Sequence, residues 1–353
     1  MRNMAWCGLL APVLLASVLL ASVLLVAGCD STVDHATNGP AGAGSSEASS
    51  SVSPGVSAGA SSGSVAGSPA DQRYVVKRIR TGSKPCATLG AAGAVWVADI
   101  NDSDVKRLDP LTGRVLATIA TAPGPCGMAY GAGSIWVEDY TASAVTRIDV
   151  ASNRTKTIAV GSSPYDVTFA AGAAWVTNYG DSTVSRIDAR TNRTRTIPVG
   201  SLPVGIATAG GAVWVCDSGS RELSRIDETT AAVTSVPFGG APSWTAFDAD
   251  TVWIGDQGAG QVVRLDARTG RIVRRITVSP TPNDGDVFEG GVWFPDKAGA
   301  LYRLDQRTDA VTGPFPLGAG NPFVVSGYAH RLWVADYGGT DTLEVNPALL
   351  PIG

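Results

Sequence analysis

A tryptophan recurs at Trp96, Trp136, Trp175, Trp214, Trp253, Trp293 and Trp333, at spacings of 40, 39, 39, 39, 40 and 40 residues. A proline stands eleven residues before each: Pro85, Pro125, Pro164, Pro203, Pro242, Pro282 and Pro322. Three residues after each comes Asp99, Asp139, Asn178, Asp217, Asp256, Asp296 or Asp336. Further on, "KRLD", "TRID", "SRID", "SRID", "VRLD" and "YRLD" recur, degraded to "LEVN" in the last copy. Seven copies in one register mean one unit repeated in tandem. A unit of this size cannot bury its apolar face alone, so it must stack on its neighbours.

Each copy holds four segments of alternating apolar and β-branched residues, with Gly, Asn, Asp and Pro between them. Segment A follows the proline ("PVGIATA"), B carries the tryptophan ("AVWVCD"), C is "STVSRID", and D follows a turn ("RTRTIPVG"). Four strands in about 40 residues is the period of a propeller blade. The expected fold is all-β, a seven-bladed β-propeller with four strands per blade over residues 74–353. The last copy lacks a fourth strand, and the domain opens on an orphan D-like segment, "YVVKRIRTG", at 74–82. That segment is expected to complete the last blade and close the ring, leaving no open sheet edge. The tryptophans then fill the blade interfaces, with each indole N–H needing a partner. Glycines before them permit tight A–B turns. The acid after each opens the B–C loop, and the repeated C–D aspartates make side-chain-to-backbone turns.

The first 29 residues are a different kind of sequence. Arg2 precedes an uncharged apolar run over residues 9–27, and "LVAGC" at 25–29 resembles a bacterial lipobox. The resemblance implies a signal peptide at 1–28, cleavage before Cys29, and lipid on that cysteine. A plain signal peptide and an uncleaved anchor are the alternatives. Two acyl chains on Cys29 meet the condition for stable anchoring to the outer side of the cell membrane. Residues 30–72 are rich in Ser, Gly, Ala and Pro and contain no aromatic residue. They read as a disordered tether, which together with Cys29 makes the segment 29–73. Such a chain reaches roughly 35–40 Å. A net charge of −4 supplies no basic field for nucleic acid.

The stretches "WVTNYGDSTVSRID" and "PCGMAYGAGSIWVED" resemble two propeller groups, the YVTN-type repeat and the repeat of virginiamycin B (streptogramin) lyase. The likeness covers residues 74–346, and both groups are seven-bladed. The lyase resemblance implies Mg²⁺-assisted ring opening of a cyclic peptide antibiotic, using histidine and glutamate on one propeller face. The sequence has only two histidines. His35 lies in the tether. His330 falls in an A–B turn, expected on the face opposite the D–A and B–C loops, so the histidine a lyase needs is missing from its expected place. A gluconolactonase-like hydrolase would need carboxylate and amide ligands around a divalent cation in the channel. Asn283, Asp284 and Asp286 in "PNDGDVF" and Asp166 in "PYDV" are candidates for that role, or else solvated loop acids.

Residues common to every copy hold the fold, so differences at equivalent exposed positions mark where a ligand is read. One residue beyond the repeated acid the copies have Ile100, Tyr140, Tyr179, Ser218, Gln257, Lys297 and Tyr337. Two beyond the proline they have Ala87, Gly127, Asp166, Gly205, Trp244, Asp284 and Val324. Tyr140, Tyr179, Tyr337 and Trp244 beside acids suit a sugar, a peptide or a cationic group, or else cover loop backbone. Arg107, Arg147, Arg186, Arg225, Arg264 and Arg303 are expected to pair with blade carboxylates rather than bind phosphate. Cys7 leaves with the signal segment. Cys86 and Cys126 occupy one place in consecutive blades, either bridged, as an exported domain permits, or as two buried thiols. Cys216 reads as a small apolar residue. No zinc spacing, Walker loop or G-x-S-x-G motif has a credible context. The expected function is therefore an exported, lipid-anchored binding or scaffolding module. Its ligand would be an envelope protein, peptide or carbohydrate. No cofactor is expected, although a divalent cation is possible, and no nucleic acid is expected. The alternative is a metal-dependent hydrolase or lyase at the channel mouth.

Overall fold

The computed structural model describes residues 72–352. The signal segment, Cys29, the tether and His35 lie outside the described residues. The chain is all-β: seven four-stranded antiparallel sheets arranged as the blades of a propeller, with one short 3-10 turn at Pro347–Leu349. The innermost strands are β2 (Pro85–Ala91), β6 (Pro125–Gly131), β10 (Pro164–Ala170), β14 (Pro203–Ala209), β18 (Pro242–Phe247), β22 (Asp286–Phe288) and β26 (Pro322–Tyr328). Each packs on the next, and β26 packs back on β2, so the seven surround one axis. The seventh sheet uses both ends of the domain. Its outer strand β1 (Val75–Arg80) runs antiparallel to β28 (Asp341–Val345), pairing Val75 with Val345 and Arg80 with Asp341.

The blade interfaces repeat as closely as the sequence does. Trp96 shares a buried cluster with Ile135, Val137 and Ile148 of the following blade, and Trp136 does the same with Ala174, Val176 and Ile187. The series runs around the ring until Trp333 meets Val95, Val97 and Leu108 of the first blade. Four indoles donate to a carbonyl of their own innermost segment: Trp96 to Ala91 (3.1 Å), Trp136 to Gly131 (3.1 Å), Trp175 to Ala170 (3.3 Å) and Trp293 to Phe288 (3.0 Å). Those of Trp214, Trp253 and Trp333 meet no acceptor among the described residues.

The repeated arginines correct the sequence-based expectation. They do not mainly seek carboxylates. Each lies over the indole of its own blade, from Arg147 at 4.7 Å from the Trp136 ring centre to Arg225 and Arg303 at 5.8 Å from theirs. From there Arg107 donates to the Val150 carbonyl and Arg147 to the Ala189 carbonyl, both in the C–D turn of the next blade. A guanidinium is weakly hydrated and planar, so it can cover an aromatic face while its edge donates hydrogen bonds. Only Arg264, 3.7 Å from Asp309, and Arg303, 3.1 Å from Asp305, form ion pairs with carboxylates.

Turn chemistry follows the residue types. Six of the seven A–B hairpins place two successive residues at positive φ, as in Ala92 (51°) and Gly93 (76°), the geometry of a two-residue type I′ turn. In the C–D turns the aspartate accepts backbone N–H groups, as Asp109 Oδ1 does from Leu111 (2.9 Å) and Thr112 (2.8 Å). The repeated acid after each tryptophan is buried, and several of these tie strands and loops together. Asp139 accepts from the Thr146 hydroxyl (2.7 Å), and Asp336 accepts from the backbone of Gly320 and Asn321.

Cys86 on β2 and Cys126 on β6 are bridged, with Cα atoms 5.1 Å apart, while Cys216 is buried and unbridged. The bridge links two neighbouring inner strands across 40 residues of sequence. A cross-link closing a loop of that length is worth about 3–4 kcal/mol. Replacing either cysteine by serine should lower the melting temperature measurably, and reducing agent should lower the wild type to the same value. Alkylation of both cysteines in unreduced, folded protein would contradict the bridge.

Candidate functional site

The D–A and B–C loops share one face, held together in five blades by backbone bonds such as Tyr140 N–H to the Gly124 carbonyl (2.8 Å) and Tyr179 N–H to the Ser163 carbonyl (3.0 Å). The early residues of the inner strands line the channel mouth below this face. Tyr140, Tyr179 and Tyr337 are all half-buried on it. The Tyr179 ring lies 5.9 Å from that of Tyr165, and the Tyr337 ring lies 5.3 Å from that of Phe323. Lys84 Nζ stands 5.3 Å from the centre of the Tyr337 ring.

Trp244 is not on that surface. It is 3% exposed, stacks on Phe294 at 6.1 Å, and donates its indole N–H to the Pro282 carbonyl at 3.2 Å. Two local causes explain the difference. The strand pairing shifts register between Pro242 and Thr245, so alternation counted from the proline assigns the wrong side. Gly255 then leaves room for the indole, since a Cβ there would lie 2.0 Å from Trp244 Nε1. Trp244 therefore belongs to the packing between the fifth and sixth blades.

The carboxylates at the channel mouth are built into the backbone. Asp166 Oδ1 accepts from Val167 N–H (2.7 Å), and Oδ2 accepts from Ile206 N–H (3.1 Å) in the next blade. Asp286 repeats the pattern with Val287 (2.8 Å) and Gly327 (2.9 Å). Asp284 joins its backbone to the seventh blade, donating to the Phe323 carbonyl (3.1 Å) and accepting from Val325 N–H (3.3 Å). Asn283 is buried and turns away, donating to the Pro322 carbonyl at 2.9 Å. Asp166 on the third inner strand and Asp284, two residues before the sixth, come from opposite sides of the ring, and the charge of Asp166 acts on Asp284.

Asp166, Asp284 and Asp286 are half-buried, and their partial removal from water governs their ionisation. It pushes Asp166 up to about 7 and Asp286 to about 6, against the backbone N–H bonds that favour the charged forms. Asp284 is driven well above the carboxylate range by burial first and then by the neighbouring charges of Asp166 and Asp286.

Two further residues belong to this site. Glu138, on β7 (Ser134–Asp139), is 1% exposed, and burial followed by the charges of Asp139 and Asp166 raises it well above the usual range. Tyr165 is also raised, by burial and then by the charges of Asp284, Asp166 and Glu138. The repeat contains the signal for both. Two residues beyond the tryptophan the copies have Ala98, Glu138, Thr177, Cys216, Gly255, Pro295 and Ala335; one beyond the proline they have Cys86, Cys126, Tyr165, Val204, Ser243, Asn283 and Phe323. Glu138 is the only ionisable carboxylate in the first series, and Tyr165 the only tyrosine in the second.

His330 sits in the A–B turn of the seventh blade at φ 59°, with its side chain 88% exposed and Nδ1 2.6 Å from Glu289 Oε1. That turn joins the end of strand A to the start of strand B, the side away from the channel-mouth acids. Among the described residues no three His, Cys, Asp or Glu side chains converge to hold a metal ion.

With this geometry in place, solved structures give a clear fold match. The chain is similar to streptogramin B lyase (TM-score 0.69, 16% identity, covering 76% of this chain and 96% of that one). It is also similar to virginiamycin B lyase from Staphylococcus aureus (TM-score 0.67, 16% identity, 76% and 98%). Hydrazine synthase from Kuenenia stuttgartiensis matches at TM-score 0.66 and 14% identity, covering 78% and 99%. At such identities the likeness is one of fold. No known protein family and no curated protein sequence matches the chain.

The buried acids set a pH dependence for stability. Asp99 and Asp139 are pushed to about 7, and Asp217 to about 6, chiefly by burial. Like Asp166, they bind protons more tightly folded than unfolded. Their contribution is complete below the ordinary carboxylate range near 4 and is lost as pH rises toward 7. The C–D turn aspartates Asp109, Asp149, Asp188, Asp227 and Asp266 are lowered by hydrogen bonds, so their contribution is lost only in stronger acid. The melting temperature should therefore fall between pH 5 and pH 8. Each proton contributes up to about 1.4 kcal/mol per pH unit. Asp166→Asn should flatten the profile, and a profile already flat in the wild type would contradict the buried-acid account.

Proposed function

We propose that this chain is an extracytoplasmic lipoprotein, held to the outer side of the cell membrane through Cys29, whose propeller presents a ligand- or protein-binding face. One observation supports the reading above all: the aromatic and acidic residues that break the repeat gather on the D–A and B–C side. The Tyr165–Tyr179 and Phe323–Tyr337 pairs stand at the same end as Asp166 and Asp284, with Glu138 buried behind them. The ring of interlocked blades keeps that face preorganised, which lowers the entropic cost of binding. A tether of the composition seen at residues 30–72 suits a module that must reach past the membrane surface. The ligand would be an envelope protein, a peptide or a carbohydrate.

The lyase reading has less support. A histidine-to-alanine variant of the Staphylococcus lyase, described as catalytically inactive, has been solved with quinupristin. Here the histidine of the described residues stands in a turn remote from the acids, and no donor set converges for a divalent ion.

Two experiments test the proposal. Cys29→Ser in the full chain should move the protein from the membrane fraction to the soluble fraction. Peptide and glycan arrays probed with the full chain should yield ligands whose affinity drops about tenfold or more, or about 1.4 kcal/mol, on Tyr179→Ala or Tyr337→Ala. Ligands indifferent to Tyr140, Tyr179 and Tyr337 alike would place binding elsewhere.

A further inference from the structure

Glu138 is the least explained side chain of the ring. Its Oε1 accepts from Gly127 N–H at 2.8 Å, but Oε2 is buried with no hydrogen-bond partner among the described residues. Leaving such an oxygen unpaired is costly. The equivalent positions hold small or uncharged residues, so blade packing does not call for a carboxylate there. The group is directed at the channel acids. A Cβ on Gly127 would lie 3.0 Å from Asp166 Oδ1 and 3.3 Å from Glu138 Cγ, so both side chains abut the same glycine. Asp284 feels the Asp166 charge from across the axis, and Tyr165 feels Asp284, Asp166 and Glu138 together. The interactions acting on Glu138, Asp166, Asp284 and Asp286 involve other carboxyls and backbone N–H groups, and no lysine or arginine.

We propose that the channel mouth binds one monocationic group, an alkylammonium or a guanidinium, between Glu138, Asp166 and Asp284 and beneath the Tyr165–Tyr179 pair. The proposal rests on the reading of this face as a binding surface and names the chemistry it selects. Three features favour an organic monocation over a bare divalent ion. Among the described residues no three of these carboxylates converge tightly enough to hold a metal ion. Both oxygens of Asp166 already accept backbone N–H groups, which fixes them as oriented acceptors for further N–H donors. Two tyrosine rings at the rim attract a diffuse positive charge. An ammonium carries three donors and a guanidinium five, enough to satisfy Glu138 Oε2 and bridge the acids. The cation supplies the counter-ion that the blades lack, and it enters by displacing protons from carboxyls that burial keeps partly neutral. The titratable groups that act on one another here are Glu138 from the second blade, Tyr165, Asp166 and Tyr179 from the third, Cys216 from the fourth, and Asp284 and Asp286 from the sixth; Asp139 and Asp217, next to Glu138 and Cys216, are held by the Thr146 and Ser224 hydroxyls. Affinity therefore rises with pH between 5 and 8.

Isothermal titration of the full chain with n-butylammonium and ethylguanidinium tests the site. Blocked Gly-Lys-Gly and Gly-Arg-Gly peptides separate a free amine from a partner's side chain as the source. Saturable binding is expected for at least one probe. It should weaken about tenfold or more, about 1.4 kcal/mol, in both Glu138→Gln and Asp284→Asn, and tighten toward pH 8. Near-UV circular dichroism reports whether each variant keeps its packing; should Glu138→Gln lose it, Asp284→Asn carries the comparison. Absence of saturable binding for all four probes, binding of Ca²⁺ alone, or equal affinity in a folded variant overturns the cation site. A face ligand lost on Tyr179→Ala but indifferent to Glu138→Gln overturns the cation site while leaving the binding face standing.

Discussion

The fold depends on one contact made seven times: an indole from the second strand of a blade pressed against the aliphatic strands of the next. A buried indole removes roughly 200 Å² from water. At about 25 cal/mol per Å² that is on the order of 5 kcal/mol per interface. In six blades a guanidinium covers the outer side of the indole. Some of these arginines also grasp the following blade's turn, so one residue pair joins hydrophobic burial, cation–π attraction and a directional hydrogen bond. A single blade could not bury its tryptophan at all, which is why the units hold together only as a ring.

Because this interlock runs through the middle of each sheet, the inner ends of the blades are left free to differ. The central strands repeat in close register, while positions near the axis hold Ala, Gly, Asp and Tyr at equivalent places. The acids gathered there are tolerated because the surrounding scaffold is stable enough to bury them, and because backbone N–H groups from the neighbouring blade orient Asp166 and Asp286. The site and the fold are thus stitched by the same inter-blade contacts.

The architecture was almost entirely legible in the sequence, since a fixed period, a proline, a tryptophan and an aspartate in constant register leave few arrangements open. The site was legible in part. Tyr140, Tyr179, Tyr337, Asp166, Asp284 and Asp286 stand at the expected end of the channel, whereas Trp244 turned inward and Asn283 turned away. Glu138 and Tyr165 lie at other register positions, where the same kind of break in the repeat marks them. The arginines were misjudged because a carboxylate is the obvious partner in a list of residues, while the indole face becomes available only once strands B and C are paired.

The sequence by itself determined the number of blades, the four strands in each and the wedge between them, because these follow from local pattern and from the need of each copy to cover its neighbour. Only the tertiary structure decided which side chains look into the channel. In six blades the strands shift register just after the proline, so the simple alternation of faces fails at that point. It alone also brought Asp284 within reach of the charge of Asp166, since closing a ring relates residues that no local pattern does.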